Sequence, residues 1–233
     1  MVKKNLKPQK NNTSSPKKGS DNSTINTGLF NFLIFLLVLL IIGAIILFTF
    51  KVFSQPNNYD YSTQNGVYHL SKERIFGINV YRINVSSSWG NYSYAFRNRP
   101  EDLEKLYLEP GIRDKLNRPN GVRVLYVTRD VGIRDLTNNY DIIALAPLEQ
   151  ILGSGAPGLY RLNLINAYTS FFKKDTDIAT CNKVNKQTAV IYLKLGTENK
   201  VYSQNDCVII EGKDSEGLIM AAEKLAYHTI GVF

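Results

Sequence analysis

Few of the side chains that carry enzyme chemistry are present in this sequence. It contains 2 cysteines and 2 histidines among 233 residues. The cysteines (Cys181, Cys207) and the histidines (His69, His228) do not fall into the C-x2-C or H-x3-H spacing of zinc sites. The P-loop, G-x-S-x-G and H-E-x-x-H motifs are also missing from it. The sequence therefore predicts no metal site, no cofactor and no catalytic residue.

One glycine-rich stretch, Gly153 to Gly158, matches the G-x-G-x-x-G pattern of dinucleotide-binding loops. That chemistry needs a strand before the loop and a helix after it, because helix amides must meet the phosphates. Here a helix-like segment precedes the loop, a strand-like segment follows it, and Pro157 removes one amide donor. The pattern predicts a plain helix-to-strand turn.

Charge is missing from a long apolar run, Leu29 to Phe50, which as a helix would span about 30 Å, the thickness of a bilayer core. We predict a transmembrane helix over residues 29–53. A cleaved signal peptide is the rival, but its apolar region is much shorter, and Lys51 and Phe53 fit a cleavage site poorly. A buried core helix would show a polar face.

The charges on either side of the run predict its orientation. Residues 1–28 contain six lysines and one acid, Asp21, whereas only Lys51 precedes Asp60 after the run. Lysine-rich flanks stay in the cytoplasm, so we expect a single-pass signal-anchor protein of the cell membrane with an extracytoplasmic C-terminal part. The net charge of +8 is concentrated in the tail and Lys51. Because the rest is nearly balanced, nucleic acid is not an expected partner, whereas the lipid bilayer is.

Composition divides the remaining chain. Residues 1–28 should form a disordered tail, and residues 54–66 have the composition of a linker. Residues 67–233 are long enough for one exported domain with its own core. Within it, Ile75–Val85 and Asn91–Phe96 read as a hairpin, and a helix should open at Pro100.

The centre of the domain has the order strand, helix, strand. Strands over 121–128 and 159–168 flank a segment over 139–152, which we interpret as one helix rather than a strand followed by a helix at Pro147. This order predicts a parallel βαβ unit. Strands over 188–195 and 207–211 then lead into a helix capped by Asp214. The fold class is α/β or α+β, with a βαβ unit and a C-terminal strand–helix. For strand 121–128 the sequence leaves two alternatives for the side chains that face the core. They are either Val122, Val124, Tyr126 and Thr128, or Leu125 and Val127.

Two kinds of modification are expected on the exported side. An even cysteine pair in an oxidising compartment predicts a Cys181–Cys207 disulfide, which by loop entropy would contribute about 3 kcal/mol. Asn84 and Asn91 begin N-x-S triplets beside a predicted turn and are candidate glycosylation sites. An asparagine-rich chain also produces such triplets by chance.

Three stretches carry a resemblance: Cys207–Val232, Phe96–Glu104 and Thr188–Gly196. Together they resemble uncharacterised single-pass membrane proteins of small-genome archaea. The strand–glycine–acid–helix ending is also similar to C-terminal segments of archaeal cell-surface proteins. The resemblance implies an envelope setting without a peptidoglycan requirement, and it implies no activity.

We therefore expect a membrane-anchored extracytoplasmic binding or assembly module of the cell envelope, with other envelope proteins as candidate partners, rather than an enzyme. The alternative is a carboxylate-dependent envelope hydrolase. A cleft with two raised carboxyl pKa values would favour the hydrolase, and a flat apolar or strand-edge surface would favour the module.

Overall fold

A computed structural model describes residues 27–53, 58–117, 121–155 and 158–233. The chain divides into two compact units, Met1–Gln55 and Pro56–Phe233. Each unit is described by itself.

The first unit contains one described helix, α1 (Thr27–Phe53). Its stretch Phe30–Phe48 is long and apolar enough to cross a membrane, and its side chains are not buried within the protein. The helix begins two residues before the predicted start at residue 29. Residues 1–26 of that predicted tail lie outside the described residues.

The second unit opens with a four-stranded antiparallel sheet, a meander in which each strand pairs with the next. The strands are β1 (Asn58–Thr63), β2 (Gly66–Ile75), β3 (Ile78–Ser87) and β4 (Gly90–Phe96). The predicted linker over 54–66 is thus wrong from residue 58 onwards; residues 54–57 lie outside the described part of the chain. This polar segment can form a strand because its side chains alternate between the two faces of the sheet. Tyr59 and Tyr61 pack on the inner face, and their polar neighbours face outwards.

Two further boundaries differ from the sequence prediction. Residues 75–85 are not one strand, because β2 ends at Ile75 and β3 begins at Ile78 after the turn Phe76–Gly77. The helix at Pro100 is only α2 (Pro100–Leu103), followed by β5 (Tyr107–Leu108) and α3 (Ile112–Leu116).

The second sheet has seven strands in the order β5-β10-β11-β9-β6-β7-β8. All neighbours are parallel except β10 and β11. The new strands are β6 (Val124–Arg129), β7 (Asn163–Tyr168), β8 (Asp177–Ile178), β9 (Thr188–Leu195), β10 (Lys200–Gln204) and β11 (Cys207–Gly212). The remaining helices are α4 (Ile133–Leu136), α5 (Tyr140–Leu152), a 3-10 turn (Cys181–Lys183) and α6 (Ser215–Thr229).

The predicted βαβ unit is confirmed, since β6 and β7 are parallel neighbours joined through α5. The one-helix interpretation is also confirmed, because α5 runs through Pro147 without a break. The C-terminal strand–helix is β11 followed by α6, and the side chain of Asp214 accepts a hydrogen bond from the Gly217 amide, 2.7 Å away.

Helix α6 lies in the main core and packs against both sheets. On one side it contacts β9, β10 and β11. On the other side the Tyr227 ring stacks on Phe96 of β4 with centroids 3.8 Å apart. A Cβ at Gly212 would collide with the Leu218 backbone, so glycine at the end of β11 permits this close return. Nearly every residue of α6 is therefore buried, and so are Leu125 and Val127, the set of β6 that joins this core.

Candidate binding surface

The second sheet has two different faces. Because side chains alternate along a strand, Leu125, Ile191 and Ile210 lie on the face that joins the core with α5 and α6. The alternate residues of the same strands lie on the opposite face, where buried apolar side chains such as Val190 and Ile209 lie beside polar ones: Thr128, Tyr192, Lys194, Tyr202 and Glu211. We call this the outer face. Strands of parallel sheets are usually hydrophobic on both faces, so these polar groups are unusual.

Part of the outer face is covered by a short segment that a disulfide holds in place. Cys181, in the 3-10 turn, is bonded to Cys207 at the start of β11, with Cα atoms 5.2 Å apart. The Thr128 hydroxyl donates to the Ala179 carbonyl at 2.7 Å, and the Lys183 ammonium lies 4.6 Å from the Tyr126 ring centroid. The predicted disulfide is therefore present, and its segment crosses the outer face from Thr128, near the carboxyl end of β6, to Cys207 at the start of β11.

The carboxyl end of β6 carries the first polar cluster. Asp130 is exposed and directly follows β6. The Tyr192 hydroxyl lies 2.8 and 2.9 Å from the two carboxylate oxygens of Asp130, and the Thr169 hydroxyl donates to Oδ1 at 2.9 Å. Burial has the largest effect on the pKa of Tyr192 and raises it, and the hydrogen bond to the Asp130 carboxylate raises it further. The Tyr192 hydroxyl therefore keeps its proton and acts as a donor. The cluster joins the carboxyl ends of β6 and β7 to Tyr192 within β9.

The second polar cluster surrounds Glu211 on β11. Its Oε2 lies 3.1 Å from the Lys194 ammonium and accepts from the Tyr202 hydroxyl at 3.2 Å, while Oε1 accepts from the Thr197 amide at 3.1 Å. Burial alone would raise the pKa of Glu211, but Lys194 and the backbone amides of residues 197 and 198 outweigh it and hold the pKa below its ordinary value. The carboxylate is therefore charged, bound by several donors and fixed in place.

A buried ion pair lies at this end of the sheet, on the face that packs against α5. Arg129 and Asp141 are almost fully buried, with Nη1 3.2 Å from Oδ2. The Thr137 hydroxyl donates to the Ile133 carbonyl at 2.7 Å within the intervening loop. Removing one partner of such a pair leaves a buried charge uncompensated, so the pair ties the loop after β6 to the start of α5.

An exposed apolar edge follows Thr169 at the β8 side of the sheet, where the register places Tyr168 and Ile178 on the same face as Arg129, opposite the outer face. The Phe171 and Phe172 side chains are 71% and 38% exposed, and Ile178 on the edge strand β8 is 44% exposed. The Phe172 ring stacks on Tyr168 at 4.7 Å, which fixes its position. Exposed large apolar side chains that lie together mark interaction sites more often than isolated ones do. We call these three residues the aromatic edge.

The other residues singled out in the sequence lie elsewhere. Asn84 and Asn91 are both exposed on the outward side of the β3–β4 hairpin, where the Ser86 hydroxyl donates to the Asn91 side chain at 2.8 Å. His69 is exposed, with Nδ1 2.6 Å from Asp60 Oδ1. His228 is partly buried with Nδ1 2.9 Å from the Phe233 carbonyl oxygen, and burial lowers its pKa. The two histidines are on different elements and form no shared site.

The glycine-rich stretch follows the predicted helix-to-strand order. Gly153 caps the end of α5, and β7 begins at Asn163. Residues 156 and 157 of the motif lie outside the described part of the chain. Among the described residues, no group of three or more histidine, cysteine, aspartate or glutamate side chains is placed to hold a metal ion.

Sequence reasoning missed a deeply buried carboxylate on α6. Glu223 on α6 accepts from the Arg97 amide at 2.6 Å and from the Asn98 amide and side chain at 2.9 and 2.8 Å. Burial raises its pKa to about 7, and the three N–H donors oppose the rise. A glutamate inside an otherwise apolar helical pattern was the only signal in the sequence. Its contacts join α6 to the end of β4.

No protein-family model, curated protein or solved structure matches this chain. The arrangement must therefore be interpreted from its own chemistry. It offers tyrosine rings and fixed hydrogen-bonding groups on the outer face of the second sheet, and exposed aromatic side chains at its β8 edge. Such a combination suits contact with another macromolecular surface, in which aromatic side chains form the centre and polar groups the rim.

Proposed function

We propose that this chain is a membrane-anchored extracytoplasmic module of the cell envelope that binds a partner protein through the outer face and the aromatic edge. The observation that carries the proposal is the set of aromatic side chains that stay accessible on the second sheet and its edge, since Tyr192 and Tyr202 are partly exposed and Phe171 is 71% exposed. The apolar helix α1 and the disulfide fit an exported domain on a membrane anchor.

The carboxylates favour binding over hydrolysis. Among the described residues, the pKa is held below its ordinary value at Asp102, Glu109 and Glu211 by their hydrogen-bond donors and neighbouring cations. It is raised at Glu223, whose three described hydrogen-bond partners are all donors from the chain itself. A general acid–base pair needs two carboxyl groups with different pKa values facing one substrate, and the carboxylate with the raised pKa, Glu223, is instead enclosed by donors of its own chain.

The test is site-specific photocrosslinking in the native envelope. A photoreactive phenylalanine analogue replaces Phe171, which is 71% exposed and so should be replaceable without loss of folding. The matched control places the same analogue at Leu136, which is 74% exposed on α4, outside the aromatic edge. We expect a discrete protein adduct from position 171 and none of that size from position 136.

Two outcomes would contradict the binding surface. One is the absence of any adduct at position 171, and the other is the same adducts from both positions. The anchor is tested separately, because external protease should digest the domain after residue 58 in intact cells and spare the lysine-rich tail. Loss of the tail with protection of the domain would reverse the topology.

A further inference from the structure

The β2–β3 hairpin ends in an exposed apolar tip. Phe76 is 100% exposed, and its neighbours Ile75 and Ile78, which pair across the two strands, are 37% and 49% exposed. None of these three residues belongs to the domain core or to the aromatic edge. We call Ile75, Phe76 and Ile78 the hairpin tip.

The backbone of the tip makes phenylalanine an unfavourable choice there. Phe76 and Gly77 both have positive φ angles, +49° and +83°, as in a two-residue type I′ turn. Asparagine, aspartate and glycine adopt this conformation readily, whereas a bulky side chain does so only at a cost. The β10–β11 hairpin of the same domain has the usual solution, because Asn205 and Asp206 occupy the equivalent places with φ of +48° and +63°. A strained residue that makes no packing contact in the domain points to a role outside it.

The charges of the hairpin indicate the kind of surface it meets. Around the tip, β2 and β3 carry three basic side chains, Lys72, Arg74 and Arg82, and one acidic side chain, Glu73. Glu73 is already paired with Arg82 at 2.8 Å. Apolar residues flanked by lysine and arginine are typical of segments that enter a lipid interface, since the apolar groups reach the acyl boundary and the cations meet anionic head groups.

The direction and reach of the hairpin agree with a membrane partner. The described chain enters β1 at Asn58, which pairs with Ser71 of β2. From Ser71, β2 continues beyond this entry point to Phe76, an overhang of about 17 Å at about 3.4 Å per residue. The overhang therefore points to the side from which the described chain enters the sheet.

We propose that the hairpin tip inserts into the interfacial region of the membrane that α1 spans, so that the exported domain has a second, non-covalent membrane contact. This proposal rests on the membrane anchoring contained in the proposed function. The tip then acts as a shallow apolar wedge that limits rotation of the domain. The aromatic edge and outer face are thereby presented to a partner in a restricted range of orientations.

The test uses tryptophan as a depth probe, because Trp89 is the only native tryptophan and lies at the β3–β4 turn, at the opposite end of the meander. The full chain is reconstituted into vesicles of phosphatidylglycerol and phosphatidylcholine with brominated acyl chains. Flotation of the vesicles first establishes the anchor. Wild-type protein then reports on Trp89, and the Phe76→Trp, Trp89→Phe variant reports on the tip.

We expect strong quenching and a blue-shifted emission for tryptophan at position 76, and emission typical of water without quenching for Trp89. Floating protein with an unquenched tryptophan at position 76 would overturn the tip proposal while leaving the anchor intact. Equal quenching at both positions would also overturn it, because the domain would then contact lipid without preference. Protein that fails to float would refute the anchor, and with it both proposals.

A second variant separates lipid contact from folding. Phe76→Asn places a favoured residue in the type I′ turn, so we expect thermal stability to be unchanged or raised. Because the apolar wedge is lost, the cations alone should give weaker ordering of the domain, measured as faster rotational averaging of a spin label at Trp89→Cys in the same vesicles. Unchanged label mobility compared with Phe76 protein would contradict the proposal.

Discussion

The buried carboxylate of Glu223 gives the sharpest thermodynamic prediction. Its pKa in the folded protein is raised from an ordinary 4.5 to about 7, chiefly because burial penalises the charged form. A group whose pKa is raised on folding stabilises the protein below its unfolded pKa and loses that contribution as pH rises through its folded pKa. The difference corresponds to about 3 kcal/mol, at about 1.4 kcal/mol per pH unit.

The measurement compares Glu223→Gln with wild-type full-length protein in detergent, by urea unfolding from pH 4 to pH 8. Glutamine keeps the shape but cannot ionise, and its amide places a donor against donors of Arg97 or Asn98, so the variant should be less stable throughout. We expect the stability advantage of wild type to shrink by about 3 kcal/mol between pH 4.5 and pH 8.

Other groups that titrate between pH 4 and pH 8 contribute equally to the stability of both proteins, so their contributions cancel in the difference. The pKa of His228 is lowered by burial, which makes stability rise with pH, but this contribution is common to both proteins. Lys224 has a pKa lowered by burial to about 8 and changes its contribution only above that pH. Glu216→Gln, an exposed carboxylate of the same helix, is the matched control. A wild-type advantage that is independent of pH would show that the three N–H donors hold Glu223 ionised throughout, which would refute the reasoning.

Two further predictions concern the core of the exported domain. Cys181 and Cys207 should resist alkylation in denatured protein until a reductant is added, and reduction should cost about 3 kcal/mol of stability; full labelling without reductant would contradict the disulfide. Leu225→Ala should cost about 2–5 kcal/mol, because Leu225 is fully buried in α6, whereas Leu136→Ala on the exposed side of α4 should have little effect. An unchanged melting temperature for Leu225→Ala would mean that this face is not core.

The sequence was most informative where local pattern and tertiary environment agree. The βαβ unit, the helix through Pro147, the Asp214 cap and the cysteine pair all followed from spacing and residue type. Each of these features depends on a short range of residues or on a chemistry with few alternatives. That is why they could be predicted without knowledge of the neighbouring elements.

The β3–β4 hairpin of the first sheet was predicted, whereas β1 and β2 were missed for a related physical reason. β1 is polar on its outer side and carries only Tyr59 and Tyr61 on its inner side, so its composition is that of a linker. The turn at Phe76–Gly77 was read as strand interior, because phenylalanine between isoleucines has high strand propensity and its positive φ cannot be inferred from that pattern. Both errors concern residues whose conformation is fixed by pairing with distant partners rather than by their own preference.

The candidate surface was harder still to predict, because it depends on which strands lie beside one another in the second sheet. Tyr192 on β9 is partly exposed, although Val190 on the same face of the strand and Ile191 on the other face are both fully buried. The sequence pattern alone does not predict that Asp130, 62 residues away, accepts a hydrogen bond from the Tyr192 hydroxyl. Strand order makes that contact: β6 and β9 are neighbours only because the chain adds β7 on one side of β6 and returns to the other. The local sequence specifies the strands, and their order across the sheet brings the polar groups together.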